Sequence, residues 1–162
     1  MEPHDFDHFY QTHHRALFNV VYRWLWQHED AEDVMHEAFV RVWENRHDIH
    51  PDHIRGYLFR TATNLAANRR RWLKLRQFVS FKGWESTARS IEDLFIGKET
   101  AKLMAQAIDR LPEKQKTVLL LVRFADMSYQ QVAETLGISS GTVASRVHHA
   151  MKSLKGVRDG SE

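Results

Sequence analysis

Apolar residues recur at helical spacing through most of this chain, and the pattern predicts an all-α protein. Phe6, Phe9, Tyr10, Leu17, Val20, Val21, Trp24 and Leu25 mark a first amphipathic helix, interrupted at Gln27 to Asp30. A second follows, with Ala31, Val34, Met35, Ala38, Phe39, Val42 and Trp43 on its apolar face and Glu32, Asp33, His36, Glu37 and Arg41 on the polar one. Arg46 to His53, rich in His and Asp and containing Pro51, reads as a loop. A third helix is expected from about Asp52 to Leu73 or a little beyond, its inner face Ile54, Leu58, Ala62, Leu65 and Ala66 closing a three-helix core with the first two. Residues 76–90 show no sustained period and read as a linker, although Phe78, Phe81 and Trp84 are unusual for a free tether. Helical periodicity returns from Ile91 to Leu111, Pro112 marks a boundary, and another helix runs from Glu113 to about Phe124.

The stretch from Asp126 to Val147 then spells two short helices joined by a tight turn. Ser128 is placed to N-cap the first, which packs inward through Val132, Ala133 and Leu136 and stops at Gly137, where a residue free to adopt positive φ is wanted. Ser139 or Ser140 caps the second, and Val143 and Val147 turn its apolar face back onto the first. The Ala133, Gly137, Val143 spacing separates a helix-turn-helix from an arbitrary helical hairpin, because the two helices cross too closely for a large side chain at Ala133. Ser140, Thr142, Ser145, Arg146, His148 and His149 are left outside, short polar groups and donors suited to base edges and phosphates.

Charge sharpens this picture through its distribution. Net charge is only +2 over 162 residues, yet Asp and Glu outnumber Lys and Arg ten to four in residues 1–50, while residues 53–76 hold seven Lys or Arg and no acid. The chain has no cysteine, hence no disulfide framework or thiolate metal site, as expected of a reducing cytosol. The acidic Met1 to Asp7 precedes no apolar signal core, and the longest aliphatic run, Val118 to Val122, is too short to span a bilayer. A soluble, intracellular protein without membrane insertion is expected.

Four motifs then carry a family resemblance. Asp30-Ala-Glu-Asp-Val-Met-His-Glu-Ala-Phe-Val-Arg-Val-Trp, Gly56-Tyr-Leu-Phe-Arg-Thr-Ala-Thr-Asn-Leu-Ala-Ala-Asn-Arg-Arg-Arg, Leu111-Pro-Glu-Lys-Gln-Lys and Ser128-Tyr-Gln-Gln-Val-Ala-Glu together resemble the extracytoplasmic-function sigma factors, group IV of the sigma-70 family. The resemblance covers residues 6 to 155 or so. It implies two small helical domains joined by a flexible linker: region 2 over 1–75, the linker over 76–90, and region 4 with the helix-turn-helix over 91–158.

It also implies partners and roles. Core RNA polymerase would dock on Glu32, Asp33, His36, Glu37 and Arg41. His47, His50, Tyr57, Arg60, Asn64, Asn68 and Arg71 would bind and open the minus-10 element, with a flipped base held by the loop His47 to His53. Ser140, Thr142, Ser145, Arg146, His148 and His149 would bind the minus-35 element. His36 stands where the family more often has Gln, Asn68 where Asp is common, and Ala144, His149 and Met151 where Lys or Arg are frequent, so the minus-35 grip should be modest. An anti-sigma factor is the expected regulator, holding the protein in the cytoplasm or at the inner membrane.

Other classes fit less well. His47, His50 and His53 are spaced by three, but the expected loop breaks helical register among them and no His-Glu-x-x-His motif is present, so no metal and no cofactor is expected. Without a glycine-rich phosphate loop or a nucleophile motif, an enzyme is not expected either. A two-domain regulator of the LuxR kind or a helical adaptor remains as a rival, and binding to core polymerase separates them.

Overall fold

The computed structural model describes residues 1–76 and 98–160. The expected linker, 76–90 with Phe78, Phe81 and Trp84, lies outside the described residues except for Arg76, as does the expected opening of the second domain at Ile91.

The first half is three helices: α1 (Pro3–Leu25), α2 (His28–Asn45) and α3 (Ile54–Arg76). Pro3 is well suited to the first turn of α1, where a backbone N–H has no intrahelical acceptor. Trp26 ends that helix in the left-handed region, at φ 55°, its N–H returning to the Tyr22 carbonyl at 2.6 Å. The break before α2 is therefore shorter than the Gln27 to Asp30 read from the sequence. The expected loop also gains structure: Pro51–His53 form a 3-10 turn that the His50 ring caps by accepting the Asp52 N–H at 3.2 Å, and α3 starts at Ile54, two residues later than expected.

The second half adds α4 (Lys98–Arg110), α5 (Glu113–Phe124), α6 (Tyr129–Leu136) and α7 (Ser140–Gly160). Ser128 caps α6 in a reciprocal box: its hydroxyl accepts the Gln131 N–H at 3.1 Å and the Gln131 side chain accepts the Ser128 N–H at 2.9 Å. Gly137 ends α6 at φ 69°, where a side chain would be strained. Of the two candidate caps for α7, Ser139 is the one used, accepting the Thr142 N–H at 3.1 Å. Val143, Val147, Ala150 and Leu154 are buried on α7, as are Val132 and Ala133 on α6 and Val118 to Leu121 on α5.

The two halves do not remain separate. α1 packs against α4 and α5, and α3 against α5 and α6. Besides its expected Ile54, Leu58, Ala62 and Ala66, α3 buries Phe59, Thr63, Ala67 and Arg70, while Leu65 is only partly covered. Gly56 is where α3 comes closest to α6: a Cβ there would lie 3.1 Å from the Thr135 hydroxyl.

Candidate nucleic-acid interface

Arg60, Asn64, Asn68 and Arg71 are exposed along one stripe of α3, at the three- and four-residue spacings read from the sequence. Tyr57 is half-buried one turn earlier, and His47 and His50 are exposed in the segment that leads into α3. The stripe does not face open solvent. It forms one wall of a cleft of about 470 Å³ whose other wall comes from the second half of the chain: Glu113, Lys114, Thr117, Leu136, Ile138 and Arg146. Arg71 crosses that cleft with two hydrogen bonds, Nε to Glu113 Oε1 at 2.8 Å and Nη2 to Glu113 Oε2 at 2.7 Å, and its Nη1 donates to Asn68 Oδ1 at 2.6 Å.

On α7 the residues read as an outward face are accessible. Ser140, Ser145, His148 and His149 are exposed, while Thr142 and Arg146 are half-buried. Thr142 shares a 2.8 Å hydrogen bond between its hydroxyl and that of Ser139 at the start of the helix. Arg146 turns toward α3 and lines the cleft, apart from its expected companions.

The α2 stripe stands elsewhere. Asp33, His36, Glu37 and Arg41 are exposed and Glu32 is half-buried, with Arg41 Nη2 donating to Glu37 Oε1 at 2.9 Å. His36 borders an apolar groove of about 480 Å³ between α1 and α2, lined also by Phe6, Tyr10, Phe39, Val40 and Trp43. Val40 is 52% exposed, an apolar side chain at the surface that the helical pattern had not singled out.

Between the halves lies a line of charge that is almost wholly buried. Arg70 of α3 makes a two-pronged pair with Asp109 of α4, Nε to Oδ1 at 2.9 Å and Nη2 to Oδ2. Lys116 of α5 approaches the same carboxylate at 3.5 Å and lies 4.6 Å above the ring of Trp24 on α1. At the edges Arg23 places its guanidinium 3.7 Å over the Phe124 ring, and Arg55 donates to the Ala125 carbonyl at 2.6 Å, where α5 ends and accepts cations well.

Comparison with known proteins assigns both halves. The Sigma-70 region 2 family matches residues 9–75, and Sigma-70 region 4 matches residues 101–154. The ECF RNA polymerase sigma factor SigW of Bacillus subtilis is 31% identical over 152 residues, covering 86% of this chain and 81% of that protein. The chain belongs to the extracytoplasmic-function sigma factors of the sigma-70 family. SigL of Mycobacterium tuberculosis is 29% identical, covering 90% of this chain and 84% of that one. SigE of Mycolicibacterium smegmatis is 26% identical over 92% of this chain, which spans 60% of that relative's length. Two solved structures share the fold: CnrH, in complex with the cytosolic domain of CnrY, at TM-score 0.77 and 22% identity over 99% of this chain and 92% of that one; and RpoE, in complex with the anti-sigma factor NepR from Bartonella quintana, at 0.69 and 19% over 96% and 97%. At the level of the family, this sigma factor directs transcription initiation through core polymerase and promoter recognition. Among the described residues, no group of three or more His, Cys, Asp or Glu is placed to hold a metal ion, and no helix is long and apolar enough to cross a membrane.

The residues that sequence reasoning missed in the sigma factor are those joining its halves: Asp109, Glu113, Lys116 and Arg70. The basic run Arg69-Arg70-Arg71 lies in a stretch, 53–76, without an acid, but such a run is equally at home in water or against phosphate, so the sequence named no partner for it. The pairs alter how these groups titrate. The Arg71 hydrogen bonds hold the Glu113 carboxyl below its ordinary range, and burial brings the Lys116 ammonium down to about 8 against the opposing pull of Asp109.

That shift has a definite sign for stability. Between about pH 8 and the ordinary lysine value of 10.5, the unfolded chain holds a proton on Lys116 that the folded chain has released. Stability from this group therefore rises with pH through that window, by on the order of 3 kcal/mol if fully developed. Relative to the Lys116→Met variant, the wild-type protein should gain unfolding free energy between pH 8 and 10 in urea titrations. Parallel profiles for the two proteins would contradict the burial of the ammonium.

Proposed function

We propose that this sigma factor divides its work among three faces. Region 2 comprises residues 1–75, region 4 residues 91–158, and 76–90 joins them. The α2 stripe of Glu32, Asp33, His36, Glu37 and Arg41 holds core RNA polymerase. The α3 stripe of Tyr57, Arg60, Asn64, Asn68 and Arg71, with His47 and His50 before it, binds and opens the minus-10 element. Ser140, Thr142, Ser145, Arg146, His148 and His149 on α7 bind the minus-35 element. The reading further includes an anti-sigma factor as inhibitor and the cytoplasm, or the inner membrane through that inhibitor, as its location.

The observation that carries this reading is the α3 stripe. Two guanidinium groups flank two amides on one exposed face, and an aromatic ring lies one turn away. Guanidinium groups meet phosphates without reading sequence, whereas amides and aromatic rings can meet bases once these are unstacked. The α2 face suits a protein partner instead, because exposed charge beside an apolar groove combines steering with a surface to bury.

Transcription with bacterial core polymerase on a DNA pool randomised over the two promoter elements tests the assignment as a whole. Transcripts that depend on this chain and share both elements support it, and their absence removes it. Changing Asn64 and Asn68 to Ala should spare closed-complex formation but lower the permanganate reactivity of minus-10 thymines, since single-stranded bases are what the amides meet. Normal reactivity would return the stripe to a solvated face. Changing Glu32 and Asp33 to Lys should weaken binding to core polymerase by about 1–3 kcal/mol, with helicity and melting temperature nearly unchanged. Unaltered affinity would take α2 out of the interface.

A further inference from the structure

The cleft beside the α3 stripe holds more cation than it pairs. Arg60 of α3, Lys114 of α5 and Arg146 of α7 converge on its volume of about 470 Å³. Among the described residues, none of the three has a hydrogen-bond or ion-pair partner. Glu113, the carboxylate in the lining, is already taken by Arg71 through both of its oxygens. Water screens Arg60 and Lys114, which are exposed, so their mutual repulsion costs little. What the convergence of three helices supplies is a positive field focused into a concave space.

A second observation comes from the floor of that space. Thr63 lines the same cleft and is 3% exposed, and its hydroxyl has no hydrogen-bond partner among the described residues. A helical threonine can return its hydroxyl to a carbonyl of the preceding turn, and native proteins leave few buried polar atoms unsatisfied. Thr63 does neither, so a polar atom is held ready at the cleft with nothing to meet.

The rest of the lining narrows the chemistry of what would meet it. Asn64 and Asn68 present amides, Asn68 lending its Oδ1 to Arg71 and keeping its amide protons. Leu136 and Ile138 add partly buried apolar surface from the other wall. Cations suit phosphates, amides suit the edge of a base such as adenine, and aliphatic side chains suit its face. The volume falls within the roughly 300–1,000 Å³ of small-ligand pockets. A duplex, whose major groove alone is about 12 Å wide, does not fit such a space.

We propose that this cleft is a binding site for a nucleoside triphosphate, with Arg60, Lys114 and Arg146 on the phosphates, Asn64 and Asn68 on the base edge, and the Thr63 hydroxyl on a ligand oxygen. The site goes beyond the promoter reading and needs none of it, because it belongs to the free chain and is measured without polymerase or DNA.

Calorimetric titration of the full-length protein with adenosine triphosphate, in the absence of divalent cations, tests it. One molecule should bind per chain, and pyrophosphate and adenosine should each bind at least tenfold more weakly, since each carries only part of the contacts. Lys114→Ala and Arg146→Ala should each weaken the triphosphate roughly tenfold, the scale of a lost hydrogen bond to a charged group. Joint replacement of Lys152 and Lys155 by Ala, which removes two cations of α7 that do not line the cleft, should change nothing. Thr63→Val should weaken binding several-fold while the unliganded protein melts no lower than wild type, because the substitution removes a buried hydroxyl that had no partner. Binding that never saturates, or that falls as much with the Lys152 and Lys155 changes, would reduce the cations to a diffuse basic surface. Unaltered affinity in Lys114→Ala and Arg146→Ala would place the ligand elsewhere. Pyrophosphate bound as tightly as the triphosphate would remove the nucleoside, and with it the site as proposed.

Discussion

One carboxylate governs how the two halves of this sigma factor meet. Asp109 stands at the junction of α3, α4 and α5, paired with Arg70 on one side and approached by Lys116 on the other, and the Trp24 ring closes the far side of the lysine. Each of these groups would be costly to bury alone. Two cations around one anion, covered by an aromatic face, are tolerable because each charge has a partner at short range in a region of low dielectric. The apolar contacts around the cluster are non-directional and could be met by several arrangements. The ion cluster is directional, and it selects one placement of region 4 on region 2.

That placement explains features of α3 that are otherwise odd. A helix closing a three-helix core needs one apolar stripe, and α3 has it in Ile54, Leu58, Ala62 and Ala66. It also buries Phe59, whose ring meets His13 of α1, and Arg70, held by Asp109 of α4, along with Thr63 and Ala67. Between Ile54 and Arg71, what remains exposed is the narrow band of Arg60, Asn64, Asn68 and Arg71. Thr63, whose hydroxyl is buried without a hydrogen-bond partner among the described residues, lines the cleft. The groups proposed to meet DNA and those that bind the other half thus share one helix.

The sequence was a good guide to whatever depends on neighbours nearby in the chain. Helical periodicity found α1 to α5 and the helix-turn-helix, and the cap at Ser128 and the left-handed Gly137 followed from turn chemistry alone. Boundaries moved where a local rule competed with another. Pro51 allowed a 3-10 turn inside what reads as loop, and Ser139 rather than Ser140 took the cap because its hydroxyl reaches the Thr142 N–H. The joining of the halves was not legible, since it depends on pairs 39 and 42 residues apart, Arg70 with Asp109 and Arg71 with Glu113. Lys116 is the clearest instance: within Pro112-Glu-Lys-Gln-Lys it reads as a surface residue, and only the approach of Trp24 and Asp109 buries it. The exposed stripes on α2, α3 and α7 were recoverable from spacing. That the α3 stripe and Arg146 of α7 face one cleft was not.

The central claim is that the Asp109 cluster fixes region 4 on region 2. The distance between spin labels on the exposed faces of α3 and α7, measured by pulsed electron resonance in the wild-type protein and in Asp109→Asn, tests this most directly. A short, narrow distribution in the wild-type protein that becomes longer or broader in the variant is the expected result. A distribution already long and broad in the wild-type protein, or one that the substitution leaves unchanged, would contradict the account.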